Sequence, residues 1–175
     1  MERPKTQFFK MLGLALVVCR NKEGKYLAVL EKRNRGWWLA GGKVDPPEDF
    51  HEAALREAKE EAGIDIELKG ILRVEYKVVD VTSQRIKIIY YAEPKDENQK
   101  PKDVADDESE MAQWMSLEEI IALADGYPGW RGPELYQWAK YLDAGGVIYP
   151  LAMMSPEGSE PQQVSKEAIK TIKDL

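Results

Sequence analysis

The chain has one cysteine, Cys19, and one histidine, His51, among 175 residues. A single cysteine excludes an internal disulfide framework and any multi-cysteine metal cage. A single histidine excludes zinc sites and acid–base schemes that need two. No stretch approaches the ~20 apolar residues of a membrane span. The longest apolar run is Met11-Leu-Gly-Leu-Ala-Leu-Val-Val-Cys19, which follows Arg3, Lys5 and Lys10. It is short for an export signal, and no small-x-small cleavage pattern follows it. Val18 is also bulkier than the residue a lipoprotein signal places before its cysteine. We read the run as a core strand, with Cys19 a small buried hydrophobe. Dense Lys/Arg runs are missing too, which argues against stable nucleic-acid binding. The expectation is a cytoplasmic protein with no membrane partner.

Acid is what the chain has, and it is unevenly spread. The net charge is −6. Six acids against two bases fall between Glu48 and Glu61, and Asp103, Asp106, Asp107, Glu108 and Glu110 follow with no base among them. The rest of the chain is mildly basic. Such a distribution leaves room for an anionic small molecule brought in with cations. At 19.9 kDa and 43% hydrophobic residues, one ordinary domain can bury a core without staples.

Apolar runs and turn residues predict strands over 12–19, 26–31, 37–39, 67–80 and 85–93. A helix is predicted from about 48 to 62, opened by Pro46-Pro47 and closed by Gly63. Residues 94–107 read as a polar loop, and Ser116 with Glu119 forms a capping box for a helix to about 124. A further helix is predicted over 133–144, then a linker and a short terminal helix over 164–175. This order implies an α/β fold, a mixed sheet sandwiched between helices (α/β/α), occupying 1–153, with 154–175 as linker and terminal helix.

On a 100° wheel the first helix places Ala54, Leu55, Ala58 and Ala62 on one stripe. Glu57 and Glu61 lie within about 40° of each other at its margin, and Glu60 lies further round. Carboxylates so close repel each other unless a cation intervenes, and their hard oxygens suit magnesium or manganese. A bare E-x-x-E-E is more often a solvated helix face. Here, however, Gly42, Glu48, Arg56, Glu57, Glu60, Glu61 and Gly63 fill the pattern G-x5-E-x7-R-E-U-x-E-E-x-G-U, where U is apolar.

That pattern is the Nudix box, and the chain resembles the Nudix hydrolases. The resemblance implies hydrolysis of a nucleoside diphosphate linked to another group, by water attack at phosphorus. It implies Glu57, Glu60 and Glu61 as ligands of Mg2+ (or Mn2+), with the carbonyl of Gly41. Arg56 and Glu48 are implied to orient the acidic helix, and Gly42 and Gly63 to shape it. Glu110 is the expected outside base or metal ligand, with Glu108 its competitor. Short segments around Arg85 and Trp114 resemble the 8-oxo-guanine nucleoside diphosphate phosphatases, so oxidised nucleoside di- or triphosphates are the first substrate class. ADP-ribose or nucleotide-sugar hydrolysis is the alternative. Dinucleoside polyphosphate, diphosphoinositol or RNA-cap hydrolysis, or a non-catalytic binding module, stand further back. Lys43 and Arg85 are candidates for phosphate contact, and Trp37, Trp38 and Trp130 for base stacking. The expected partner is a small nucleotide, bound by a monomer or homodimer.

Overall fold

β1 (Lys10–Cys19) ends in five consecutive buried residues, the signature of a strand covered on both faces. The computed structural model describes residues 10–163 and 165–174. In it β1 lies between β4 (Ala40–Lys43), paired antiparallel, and β6 (Ser83–Pro94), paired parallel. β5 (Ile66–Asp80) adds antiparallel to β6, giving the order β4-β1-β6-β5. A second, antiparallel sheet has β2 (Tyr26–Glu31) between β3 (Gly36–Trp38) and β7 (Ser109–Met115).

Side chains alternate across a strand, and the two faces of β1 feed two cores. Ala15, Val17 and Cys19 pack with Ala53, Ala54, Ala58 and Ala62 of α1 (Phe50–Ala62). Leu16 and Val18 pack with Leu135, Trp138, Ala139 and Leu142 of α3 (Glu134–Asp143). A mixed α/β/α sandwich results, as expected. No helix among the described residues is long and apolar enough to cross a membrane.

Helix α1 starts at an Asp49 N-cap whose side chain accepts from the backbone N–H groups of His51 and Glu52. It stops at Gly63, whose φ of 73° is left-handed backbone that glycine adopts without strain. Its buried stripe differs from the wheel. Leu55 is exposed, while Ala53 and Glu57 are buried. The stripe therefore runs along 53/54, 57/58 and 61/62, which brings two glutamates to the margin of the core.

Three local differences from expectation have physical reasons. Residues 109–115, for which no strand is predicted, form β7, because pairing with β2 supplies its backbone partners. Helix α2 (Leu117–Ala122) is shorter and continues as a 3-10 turn, Leu123–Asp125. The expected terminal helix is two 3-10 turns, Lys166–Ala168 and Ile172–Asp174. A segment of this length is a marginal helix on its own, and here Lys170 exchanges backbone hydrogen bonds with Ile148. Val164 and Leu175 lie outside the described residues.

Ala58 is fully buried between α1 and the sheet. Ala58→Leu should therefore overpack the contact and cost about 1–3 kcal/mol in urea unfolding. Wild-type stability in that variant would contradict the close approach of helix and sheet.

Candidate active site

Arg56 organises the acidic face of α1. Its Nε donates to Glu48 Oε2 at 2.9 Å, and its Nη2 donates to Glu48 Oε1 at 2.6 Å and to the Lys43 carbonyl at 2.9 Å. Nη1 donates to Glu57 Oε1 at 3.0 Å and to Glu60 Oε2 at 2.8 Å. The guanidinium offers five N–H donors in a fixed fork, and five acceptors meet it. The fork holds the Glu48 carboxyl down at about 2 and raises the pKa of Arg56 itself.

Glu57 and Glu61 both lie against β4. A Cβ on Gly42 would lie 2.3 Å from Glu57 Oε1, so only glycine lets this carboxylate lie against β4. Glu61 Oε2 accepts the Gly41 N–H at 2.8 Å, and the Glu61 carbonyl accepts the Ser109 hydroxyl at 2.6 Å. Burial is the main cause that pushes the Glu61 carboxyl up to about 8, with the charges of Glu57 and Glu31 adding to it. Burial likewise raises Glu57. Two carboxyls that resist ionisation, one buried and one half-buried, beside the Gly41 carbonyl, are a hard-oxygen donor set that fits Mg2+ or Mn2+.

The expected three-carboxylate convergence is not preformed. Glu60 is exposed and engaged with Arg56. Among the described residues no three Asp, Glu, His or Cys side chains form a ready metal cluster. A third carboxylate beside Glu57 and Glu61 would add to the repulsion that already raises both.

Glu57, Glu61, Gly41, Gly42 and Lys43 border a cleft of about 700 Å³. Leu14 and Leu16 contribute apolar surface, and Lys32, Arg33 and Arg35 bring positive charge from the loop between β2 and β3. Arg131 lies 3.9 Å from the Trp38 ring centroid and donates to the buried Glu31. Arg35 reaches the same carboxylate at 3.4 Å. Trp38 Nε1 donates to Glu134 Oε2 at 3.0 Å, tying the cleft to the start of α3.

Four sequence candidates lie elsewhere. Glu110 does not border the cleft, whereas Asp107 and Glu108 do. Arg85 lines a separate depression with Glu75, Tyr76, Lys77 and Lys87. Trp37 belongs to the α3-side core. Trp130 donates Nε1 to the Ile120 carbonyl at 2.8 Å and stacks on Tyr136 at 5.2 Å. Gly63 is the helix cap, and Glu48 the Arg56 anchor. Trp38, a stacking candidate, does border the cleft, whereas Glu31, Arg33, Arg35 and Arg131 gave no motif signal. Only the Arg-Asn-Arg-Gly composition of the loop hinted at the cationic group.

The raised Glu61 carboxyl fixes a sign. Its folded value of about 8 exceeds the ordinary 4.5, so between those values the folded protein holds a proton that the unfolded chain has released. Its contribution to stability is full below about pH 4.5 and is lost as pH rises through about 8. In metal-free buffer, Glu61→Gln should flatten the fall in melting temperature between pH 5 and 9. Equal slopes in the two proteins would show that Glu61 is not held in this environment.

The NUDIX domain family model matches residues 11–138. The chain is 43% identical over 77 residues to the putative 8-oxo-dGTP diphosphatase YtkD of Bacillus subtilis (strain 168), covering 44% of this chain and 47% of that protein. It is 34% identical over 104 residues to the 8-oxo-dGDP phosphatase NUDT18 of Mus musculus, covering 58% and 31% respectively. The matched part thus spans about half of the first relative's length and about a third of the second's. A NUDIX hydrolase from Nitrosomonas europaea has the same fold, with TM-score 0.66, 23% identity, and coverage of 86% of this chain and 100% of that one. With the box glutamates on one helix at the rim of a cleft, and the family model covering most of the chain, this protein belongs to the Nudix family.

Proposed function

We propose that the chain is a divalent-cation-dependent pyrophosphohydrolase of nucleoside di- and triphosphates, with oxidised guanine nucleotides as its substrate class. One observation carries this reading: a single cleft holds the buried carboxylate of Glu57 and the half-buried one of Glu61 together with the cations Lys43, Arg33 and Arg35. Carboxylates alone would repel a pyrophosphate. Cations alone would bind one without hydrolysing it. The named activities of the two curated relatives support the oxidised-guanine class.

Nudix hydrolases generally use divalent metals such as Mg2+. Glu57, Glu61 and the Gly41 carbonyl would hold the ion, and Glu60 would join them on leaving Arg56. Bound there, the cation supplies charge neutralisation for the phosphate oxygens. Lys43 and the 32–35 loop orient the phosphates, while Leu14, Leu16 and the Arg131–Trp38 stack offer the base an apolar, planar surface. Stacking there is worth about 1–3 kcal/mol. Arg56 acts as a positioning residue, since its five donors are committed to protein acceptors. Glu108 takes the proton of the attacking water. It borders the cleft, and its charge is felt by Glu57.

Two measurements test this. A phosphate-release panel with Mg2+ should favour 8-oxo-guanine nucleoside di- or triphosphates over ADP-ribose, nucleotide sugars and dinucleoside polyphosphates, and a preference for ADP-ribose would overturn the substrate class. Glu108→Gln should lower kcat by roughly 100-fold or more at near-normal KM, with Glu110→Gln close to wild type. The reverse order would return the proton acceptor to Glu110.

A further inference from the structure

Among the described residues no strand lies beyond the β5 edge of the four-stranded sheet. Tyr149 covers that edge at Ile71 through two backbone hydrogen bonds, N–H to carbonyl in each direction at 2.8 and 2.9 Å. Among the described residues no backbone group pairs with the outer edge beyond it, from Arg73 to Asp80. Charged and apolar residues alternate along this stretch, so one of its faces is apolar. Val74, Tyr76 and Val78 share one face and are 55%, 83% and 60% exposed. Natural sheets blunt such edges with charge, bulges or a cover. Here the regular pairing with β6 is interrupted only at the two ends of the stretch.

We propose that this edge is where a second copy of the chain docks, β5 against β5 across a two-fold axis, to make one continuous sheet of two four-stranded halves. The argument is one of register. Residues directly opposite in an antiparallel pair share a face, so a register whose paired numbers add to an odd total sets Val74 against Lys77 and Tyr76 against Glu75, apolar against charged. Among the even totals, 150 opposes Glu75 to itself and Arg73 to Lys77, and 154 opposes Lys77 to itself. A total of 152 satisfies the positions from Val74 to Val78 and leaves Arg73 opposite the partner's Val79. Tyr76 then meets the partner's Tyr76 on the axis, Val74 meets the partner's Val78, and Glu75 meets the partner's Lys77. The last two contacts each occur twice. Lys77 has no ion pair among the described residues of its own chain, so its charge is free for this contact. Pairing ends where Tyr149 already covers Ile71, and there the exposed Val79 and Val81 of the partner would arrive beside Tyr149 and the exposed Met153.

The proposal is independent of the hydrolase reading, and its test needs no substrate. Sedimentation equilibrium of the full chain at micromolar concentration should give about twice the 19.9 kDa mass. Lys77→Glu puts like charges opposite each other at two symmetric places and should weaken the dimer by roughly tenfold or more. Tyr76→Cys provides the register test. Directly opposed residues have Cα atoms about 4.5–5.5 Å apart, within disulfide reach, so mild oxidation should link two chains. Val74→Cys should not link, because its counterpart lies four residues along the strand, about 13 Å away. A monomer at 100 µM (an order-of-magnitude ceiling for a specific dimer) would overturn the proposal. So would a dimer that Lys77→Glu leaves unchanged, or one that Val74→Cys links and Tyr76→Cys does not.

Discussion

A guanidinium with five committed donors decides where the acidic helix face points. Without Arg56, the carboxylates of Glu48, Glu57 and Glu60 would lie within four turns of helix with no internal countercharge, and the Lys43 carbonyl would lose its donor. Glu57 is buried, and leaving a buried charge unpaired costs several kcal/mol. The fork does more than neutralise. It joins the chain before the helix, the end of β4 and the second and third turns of α1 into one planar unit. A lysine has the charge but lacks the plane and two of the donors.

That unit works only because helix and sheet approach closely. Four alanines on α1 and Gly42 of β4 remove the side chains that would hold them apart. The same closeness desolvates Glu57 and Glu61. Packing and chemistry are therefore one constraint: small residues that let the core close also leave two carboxyls where ionisation is costly, and a cation is the natural remedy. The basic side of the cleft follows a different logic. Glu31, buried at the end of β2, gathers Arg35 and Arg131, and Arg131 lies flat on Trp38. One internal carboxylate thus fixes cations delivered by two loops far apart in the chain.

What was legible in the sequence was local. The box residues are contiguous, their helix has a period, and its end is marked by a glycine, so the acidic face and the Gly63 cap could be read directly, while the Glu48–Arg56 pair came from the family resemblance. The long strands of the main sheet, β1, β5 and β6, announced themselves as apolar runs, whereas β4, with its glycine pair, did not. Illegible features depended on distant partners. Glu31 and Arg131 are a hundred residues apart, and nothing in the local pattern of either points to the other. Trp37 and Trp38 looked equivalent as letters, yet adjacent strand residues face opposite ways, and only Trp38 reaches the cleft. Trp130 looked available for a ligand, but its indole N–H is held by the Ile120 carbonyl.

The acidic stretch before β7 shows how a single contact sets the phase of a strand. Glu108 and Glu110 are indistinguishable by composition, and alternation alone would put both on one face. The ladder with β2 does not run evenly, however: Leu30 pairs with Met111 and Glu31 with Ser109, so Glu110 is the extra residue of a bulge. Ser109, fully buried, donates its hydroxyl to the Glu61 carbonyl, which locks the start of β7 against the end of α1. With Ser109 pinned inward, the residue before it remains in the turn held by Asp106, at the cleft beside Glu57. The residue after it is displaced by the bulge. The helix that presents the box glutamates therefore also selects, through one serine, which acid of a neighbouring strand faces them.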